Sequence, residues 1–249
     1  MKLSRYLLFV SVVALFLLTP FVFCAEETVW SVFSEPKPEI QFPDIPGYLT
    51  LVCDFHLHTM FSDGQVWPTV RVDEAWREGL DAISITDHIE YQPHKDDVPT
   101  KHNRPFEIVE AMAKQKNILL PRGTEITRDT PPGHFNAIFL DDIDPLDTED
   151  LIEVMRRAHE QGAFIFWNHP GWKGVERGRW GDVQTTMYEN KWLNGIEICN
   201  GDTYFLEAHH YAVEKNLTVI GTSDMHRPFL HHPLTPDNHR TCTLVFARE

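Results

Sequence analysis

Eight short apolar or β-branched runs follow residue 47, and they constrain the fold more than any other feature of the chain. They cover residues 48–55, 81–86, 117–126, 135–140, 163–167, 195–199, 218–222 and 241–247. Helical patterns lie between most of them, and this alternation predicts an α/β fold in which helices cover a parallel sheet. Seven strand–helix units plus one extra strand at 135–140 favour a barrel over an open, doubly wound sheet.

Three of the helical patterns carry start or stop signals. Residues 68–78 begin with Pro68 at the first helical position and end before Gly79. Thr148 is the expected N-cap of a second helix, which ends before Gly162. A third helix is predicted for residues 202–216.

The N-terminal 24 residues are typical of a secretory signal peptide. Lys2 and Arg5 precede an apolar stretch at 7–23. Because a bilayer span needs about 20 apolar residues, a permanent transmembrane helix is the weaker interpretation. We therefore expect a periplasmic or secreted mature chain without a transmembrane span. Lipid anchoring at Cys24 is a less favoured alternative, since Phe23 precedes it where a small residue is expected.

After the signal peptide, the chain divides into an extended lead-in and one larger domain. Residues 25–47 contain four prolines and no periodic apolar pattern, so they are expected to be extended. Residues 48–249 contain all eight predicted strands and are expected to form this larger domain.

The charge balance disfavours one broad class of function, the coating of nucleic acid. The net charge is −15, from 22 basic and 37 acidic residues. A protein that coats nucleic acid needs a basic face, so this role is disfavoured. The 14 histidines are the anomaly that a functional account has to explain.

Three cysteines remain after the signal peptide, Cys53, Cys199 and Cys242, and all lie in β-type runs. A disulfide scaffold is expected to have a denser and even set of cysteines. We expect buried thiols, with one disulfide and a leftover thiol as the alternative.

Histidines and carboxylates gather where the predicted strands end or begin. The clusters are Asp54-Phe55-His56-Leu57-His58, Ser62-Asp63-Gly64, Thr86-Asp87-His88, Gly123-Thr124-Glu125, Gly133-His134, Asn168-His169-Pro170 and Ser223-Asp224-Met225-His226. His56 and His58 share one side of a strand, because side chains alternate with a period of two. Parallel strand–helix units carry their catalytic loops at one strand end. Mixed imidazole and carboxylate ligands there suit zinc, manganese or iron rather than calcium.

Taken in order, these motifs resemble those of the PHP (polymerase and histidinol phosphatase) superfamily. Its members are metal-dependent phosphoesterases with a distorted (β/α)7 barrel, and the resemblance runs from about residue 41 to 249. Four stretches, at 42–48, 67–69, 90–95 and 131–139, are more narrowly similar to the secreted (Sb-PDE-type) PHP phosphodiesterases, which hydrolyse small organophosphate diesters.

The resemblance implies nine ligands for a cluster of two to three divalent ions (manganese, zinc or iron). They fall into three groups, which are His56, His58, Glu125 and Asp224 for the first ion, Glu125 again with His134 and His169 for the second, and Asp63, His88 and His226 for the third.

The activity that the resemblance implies is hydrolysis of a small-molecule phosphodiester by a hydroxide that bridges two ions. Asp87 and His94 are candidates for bringing a proton to the leaving alkoxide. Arg227, Lys95 and Arg128 lie near ligands in the sequence and are candidates for contacting the phosphate. For each of these three cations, an ordinary solvated surface charge is the alternative.

Two other functions fit the same motifs. A phosphomonoesterase of the histidinol-phosphatase kind would use the same metals, although a secreted location disfavours a biosynthetic enzyme. A periplasmic metal-binding protein without turnover is the second alternative. Glu197 and Cys199 share a strand face, from which they either point into the site or serve the structure.

Overall fold

The strands of the protein form two sheets. The computed structural model describes residues 36–43, 45–99, 101–229 and 239–248. The smaller sheet has three strands, in the order β2–β1–β9, with β1 at Leu49–Leu57, β2 at Ala82–Ile85 and β9 at Thr243–Ala247. β1 pairs with β2 in parallel and with β9 in antiparallel orientation.

The larger sheet has six strands. They are β3 (Gly123–Ile126), β4 (Phe135–Ile138), β5 (Phe164–Trp167), β6 (Leu193–Asn200), β7 (Thr203–Tyr204) and β8 (Thr218–Thr222). The order is β3–β4–β5–β6–β7, and β8 also pairs with β6. β4 runs antiparallel to both of its neighbours, whereas β5, β6 and β8 are parallel to one another.

Five α-helices in the described part of the chain connect the strands. They are α1 (Pro68–Arg77), α2 (Arg104–Gln115), α3 (Leu151–Glu160), α4 (Asp182–Glu189) and α5 (Leu206–Lys215), and one 3₁₀ turn lies at Asp144–Leu146. α1 buries Val72 and Ala75 in the same cluster as strand residues of the smaller sheet. α3 buries Val154 and Met155 in the core of the larger sheet. None of these five helices is long and apolar enough to cross a membrane.

The predicted α/β class and all eight predicted strands are confirmed. The run at 117–126 forms a strand only in its last four residues, and the two-residue β7 was not predicted. Helices α2 and α4 were not assigned from the sequence. The N-cap of α3 is Asp150 rather than Thr148, because the Asp150 carboxylate accepts hydrogen bonds from the backbone of Ile152 and Glu153.

No continuous strand ladder joins the two sheets into a closed barrel within the described ranges. Instead, isolated bridges link them, at Leu57–Met225, Ala82–Leu119 and His88–Glu125. The connection between β3 and β4 (residues 127–134) contains no helix and is too short for a parallel crossover. β4 therefore turns back, and its first residues lie beside the end of β3. The mixed α/β architecture is shown, and the (β/α)7 barrel stays a prediction.

Part of the predicted lead-in belongs to the folded unit that begins at Lys37. The Lys37 ammonium lies 2.7 Å from the Asp81 carboxylate, and Ile40 and Phe42 pack against the core of the smaller sheet. The predicted signal peptide, Cys24 and residues 25–35 lie outside the described residues.

Cys53, Cys199 and Cys242 are free thiols as predicted, but only Cys53 is buried, and the other two are half-buried. Burial, followed by the nearby charges of Asp81 and Asp54, raises the pKa of the Cys53 thiol to about 12. This thiol is therefore protonated at neutral pH and packs as a small apolar group.

The helix cap generates a stability prediction. Replacing Asp150 by Ala should lower the free energy of unfolding by about 1 kcal/mol, because two backbone N–H groups of α3 lose their acceptor. Urea unfolding of the metal-free protein measures the change. Thr148→Ala is the matched control, and an equal loss in that variant would contradict the assignment of the cap.

Candidate metal centre

The end of β1 supplies two buried imidazoles. His56 and His58 are both inaccessible to solvent. They lie two residues apart in a strand, so they face the same side, and their ring centroids are 5.1 Å apart. Both side chains project toward the C-terminal ends of the neighbouring strands.

A tight turn after β1 presents Asp63. Asp87, at the end of β2, accepts hydrogen bonds from the Thr59 backbone (2.7 Å), the Thr59 hydroxyl (2.6 Å) and the Ser62 hydroxyl (2.6 Å). Gly64 closes the turn, since a Cβ at this position would lie 2.6 Å from the backbone carbon of His58. Asp87 therefore fixes the turn that carries Asp63.

Three strands meet at Glu125, which is fully buried at the end of β3. Because β4 is antiparallel, His134 lies beside this end, with its Nδ1 2.9 Å from Glu125 Oε1. Asn168, after β5, donates to the same oxygen at 3.0 Å. His88, after β2, places its Nδ1 3.0 Å from Glu125 Oε2.

Two further predicted ligands follow β5 and β8 in a left-handed backbone conformation. His169 has a φ of 29° and Asp224 a φ of 51°. The His169 backbone N–H donates to Glu197 at 2.7 Å, and Asn200 donates to Asp224 at 3.2 Å. Both residues are thus held in place by hydrogen bonds despite an unfavourable backbone geometry.

Arg71 of α1 ties the ends of β1 and β8 together. Its guanidinium is fully buried and donates to the carbonyl oxygens of His58 (2.9 Å), Met225 (2.8 Å) and Arg227 (3.0 Å). The Glu74 carboxylate pairs with the same guanidinium at 2.7 Å. One side chain therefore fixes backbone segments that belong to different sheets and carry three of the predicted ligands.

Four ligand atoms converge on one point at the centre of the cluster. His56 Nε2 lies 3.2 Å from Glu125 Oε2 and 3.3 Å from Asp224 Oδ1. His58 Nε2 lies 3.2 Å and 3.1 Å from the same two oxygens. Ligands about 2.0–2.2 Å from a common ion are roughly 2.8–3.6 Å apart in octahedral or tetrahedral arrangements. His58 Nε2 and Asp224 Oδ1 are also buried without a hydrogen-bond partner. This donor set fits a divalent cation.

The other two predicted ligand groups also assemble. His169 Nε2 lies 3.5 Å from Glu125 Oε1, close to His134. Asp63 Oδ1 lies 3.2 Å from His226 Nε2 and 3.5 Å from His88 Nε2. His58 joins this last group, since its Nδ1 is 3.8 Å from Asp63 Oδ1. The structure therefore brings all nine predicted residues together, and their binding of ions stays a prediction.

Glu197 of β6 contacts His56 at Nδ1, the ring nitrogen that faces away from Glu125 and Asp224. Its carboxylate is buried, lies 2.7 Å from His56 Nδ1 and accepts a hydrogen bond from the Thr222 hydroxyl at 2.6 Å. An acceptor at Nδ1 keeps the proton on that nitrogen and leaves the Nε2 lone pair facing Glu125 and Asp224. Of the two roles left open for Glu197, the structural one agrees with these contacts. Its partner in the sequence pattern, Cys199, is half-buried.

The charges of the cluster shift one another's pKa values. Burial opposes the charge on His58, but its contacts with Asp224 and Glu125 raise its pKa to about 9. Burial would raise the pKa of Glu125, yet the charges of His88 and His56 hold it well below its usual range. The pKa of Asp224 is likewise lowered, against burial, by His56 and His58. In the metal-free cluster, imidazolium protons therefore balance the buried carboxylates.

A cavity of about 690 Å³ opens over the cluster. Seven of the nine predicted ligands line it, whereas His56 and His58 lie beneath. The other lining residues are Glu90, Tyr91, Thr127, Arg128, Asp129, Gly171, Trp172, Lys173, Asn200, Thr203 and Phe205.

The three predicted catalytic residues do not line this cavity, although Asp87 and Arg227 are chain neighbours of residues that do. Asp87 is occupied by the turn after β1, His94 is half-buried in the segment after β2, and Arg227 is exposed. None of the three is among the described residues that line the cavity, and neither is Lys95. Their roles stay predictions. Arg128 does line the cavity, but Glu90 and the carbonyl oxygens of residues 148 and 149 hold its guanidinium.

Among solved structures, the chain is similar to a two-domain protein from Bacteroides vulgatus that contains a predicted PHP-like metal-dependent phosphoesterase. The two are 52% identical with a TM-score of 0.82, and the match covers 87% of this chain and 64% of that protein. The neighbours thus include a PHP-like phosphoesterase. This supports the predicted superfamily, while the chain spans less than two thirds of the length of this relative.

Two more distant structures share the fold. A candidate metal-dependent phosphoesterase from Bifidobacterium adolescentis is 17% identical, with a TM-score of 0.55 over 71% of this chain and 88% of that one. An amidohydrolase from Chromobacterium violaceum with bound sulfate and no metal is 14% identical, with a TM-score of 0.50 and the same shares covered. At these identities the likeness concerns the fold alone. No protein-family model and no curated protein matches the chain.

The contact between Glu197 and His56 predicts a loss of metal affinity on substitution. Glu197→Gln should weaken metal binding by about 10- to 100-fold, because an amide does not reproduce the acceptors that orient His56. Competition with a chromogenic chelator measures the affinity. Glu189→Gln, at the exposed end of α4, is the matched control. Unchanged affinity in Glu197→Gln would show that His56 needs no orienting carboxylate.

The raised pKa of His58 predicts that metal binding releases protons. Below about pH 9 this imidazole is protonated in the metal-free protein, and a metal ligand must give up that proton. Apparent affinity should therefore rise with pH until about pH 9. Isothermal titration with zinc in buffers of different ionisation enthalpy counts the protons. Binding without proton release would show that imidazolium protons do not balance the buried carboxylates in the metal-free protein.

Proposed function

We propose that the chain belongs to the PHP superfamily and is a metal-dependent phosphoesterase that hydrolyses small phosphodiesters. The observation that carries this proposal is the convergence of His56, His58, Glu125 and Asp224, whose ligand atoms lie 3.1–3.3 Å apart. The likeness to the protein from Bacteroides vulgatus, at 52% identity, gives independent support.

The proposed cofactor is a cluster of two to three divalent ions of manganese, zinc or iron. Imidazole and carboxylate ligands favour these metals over calcium. Overlapping groups of ligands, which share Glu125 and His58, support more than one ion. When bound, such ions supply Lewis-acid polarisation of a phosphoryl oxygen and a lowered pKa of water.

The residues of the chain perform the remaining tasks. Glu197 and Asn168 hold His56 and Glu125 in their orientations, and Asp87 holds the turn that bears Asp63. Delivery of a proton to the leaving group by Asp87 or His94, and contact of the phosphate with Arg227, remain part of the proposal.

The charge of the cavity supports a diester over a monoester. Apart from the metal ligands, its charged lining residues are Glu90, Arg128, Asp129 and Lys173, whose formal charges cancel. Glu90 already pairs with Arg128. A dianionic monoester would place a second negative charge next to this neutral lining, whereas a diester is a monoanion.

Three wider features complete the proposal. The isolated bridges between the sheets support the distorted (β/α)7 barrel. The N-terminal sequence at 1–24 supports cleavage and a periplasmic or secreted location, with residues 48–249 as the catalytic domain. The stretch at 131–139, which carries His134, supports the secreted diesterase subfamily.

Metal removal tests the proposed function. The mature chain (residues 25–249) should bind at least two transition-metal ions and should hydrolyse bis(p-nitrophenyl) phosphate faster than p-nitrophenyl phosphate. Chelation should abolish this activity, and manganese or zinc should restore it. Asp224→Asn should lower kcat/KM by roughly 100-fold or more, since it removes an anionic ligand.

The outcomes separate the alternatives. A marked preference for the monoester would replace the diesterase proposal by a phosphomonoesterase. Ions bound without turnover of either ester would indicate a metal-binding protein. Fewer than one ion per chain after loading would overturn the metal centre itself.

A further inference from the structure

Two exposed aromatic side chains flank the histidines of the metal centre. Trp172 is 50% exposed and Tyr91 is 53% exposed, and both line the cavity. The Trp172 ring meets His134 and His169 edge-on, at centroid distances of 5.7 and 5.6 Å. The Tyr91 ring meets His88 in the same way at 5.9 Å. Apolar area thus remains open to solvent directly beside the reacting centre.

The loop that carries Trp172 is closely packed, and the indole lies against His134, His169 and Lys173. The Trp172 backbone N–H donates to the carbonyl oxygen of His169 at 3.1 Å. The loop also closes on itself, since a Cβ at Gly178 would lie 2.1 Å from the Gly171 nitrogen. Lys173 places its ammonium 4.6 Å from the centroid of the indole. A ring that is already fixed loses little entropy when a ligand packs against it.

The cavity is also larger than a phosphate group needs. Cavities of about 300–1,000 Å³ hold drug-sized organic ligands. The cavity over the metal centre measures about 690 Å³. Once a phosphoryl group lies against the ligands, space remains along the aromatic side chains for an organic substituent.

We propose that Trp172 and Tyr91 form an aromatic wall that binds a flat apolar arm of the substrate, with Trp172 as the main specificity-determining residue. This inference rests on the proposed function, to which it adds the class of ester, one with an aryl or similarly flat arm. The arm packs against the indole while the phosphoryl group faces His134 and His169. Phe205, which also lines the cavity, extends the apolar surface.

Binding of two non-hydrolysable monoanions to the metal-loaded protein tests the wall. Diphenylphosphinate and dimethylphosphinate carry the same charge and differ in their arms. Wild type should bind diphenylphosphinate at least about tenfold more tightly by isothermal titration. Trp172→Ala should remove most of this preference and leave the Kd of dimethylphosphinate within about twofold. Tyr91→Ala should act in the same direction with a smaller effect.

Control variants distinguish a role of Trp172 in substrate specificity from a role in positioning His134 and His169. Trp172→Phe keeps a ring and should retain most of the preference. Tyr204→Ala removes an aromatic side chain that is 51% exposed and is not among the described lining residues, and it should change neither Kd. Metal content of each variant should equal that of wild type. For bis(p-nitrophenyl) phosphate, Trp172→Ala should raise KM and leave kcat nearly unchanged.

The results distinguish this inference from the proposed function. Equal affinity of wild type for the two phosphinates would overturn the wall, even if the protein hydrolyses diesters. Equal weakening of both ligands in Trp172→Ala would also overturn it, because Trp172 would then only support His134 and His169. A preference for diphenylphosphinate that depends on Trp172, without hydrolysis of any diester, would support the wall and overturn the proposed hydrolysis.

Discussion

The buried carboxylate of Glu125 is the constraint on which the arrangement of the site depends. An ionised group without water is stable only if other charges and hydrogen bonds replace its hydration. Here Oε2 faces His56, His58 and His88, and Oε1 faces other donors that include His134. These partners come from both sheets, so the fold must bring the two sheets together around one side chain.

The contact between the sheets relies on side chains more than on strand pairing. Between β1 and the end of β8, the backbone bridge is Leu57–Met225. The Arg71 guanidinium reinforces it by donating hydrogen bonds to carbonyl oxygens of both segments. Asp54, on the same strand as His56, accepts from Ser223 and pairs with the buried Arg240. Charged groups at this contact each have partners, which limits the cost of burying them. The placement of the predicted ligands therefore depends on residues outside the ligand set, such as Arg71 and Asp54.

The residues that the sequence predicted as ligands do lie together, whereas the architecture around them was predicted less well. Strand ends are local features of a sequence, which is why it predicts that His56, His134 and Asp224 lie at one edge. The antiparallel course of β4 was not predicted, because it depends on a loop that lacks a helix. The role of Glu197 depends on a contact with His56 across 141 residues, which no local pattern encodes. The N-cap of α3 was also predicted wrongly, because Thr148 and Asp150 are both suitable N-cap residues and lie only two positions apart.

The left-handed backbone at His169 and Asp224 has a conformational cost at positions where the candidate site needs a side chain. Residues with a Cβ pay about 1–2 kcal/mol for this conformation, and glycine avoids that cost. A glycine at either position would relieve this conformational cost but would also remove a predicted ligand and its contacts in the cluster. At His169 and Asp224, the side chains that the candidate site needs therefore require a backbone conformation that residues with a Cβ otherwise avoid.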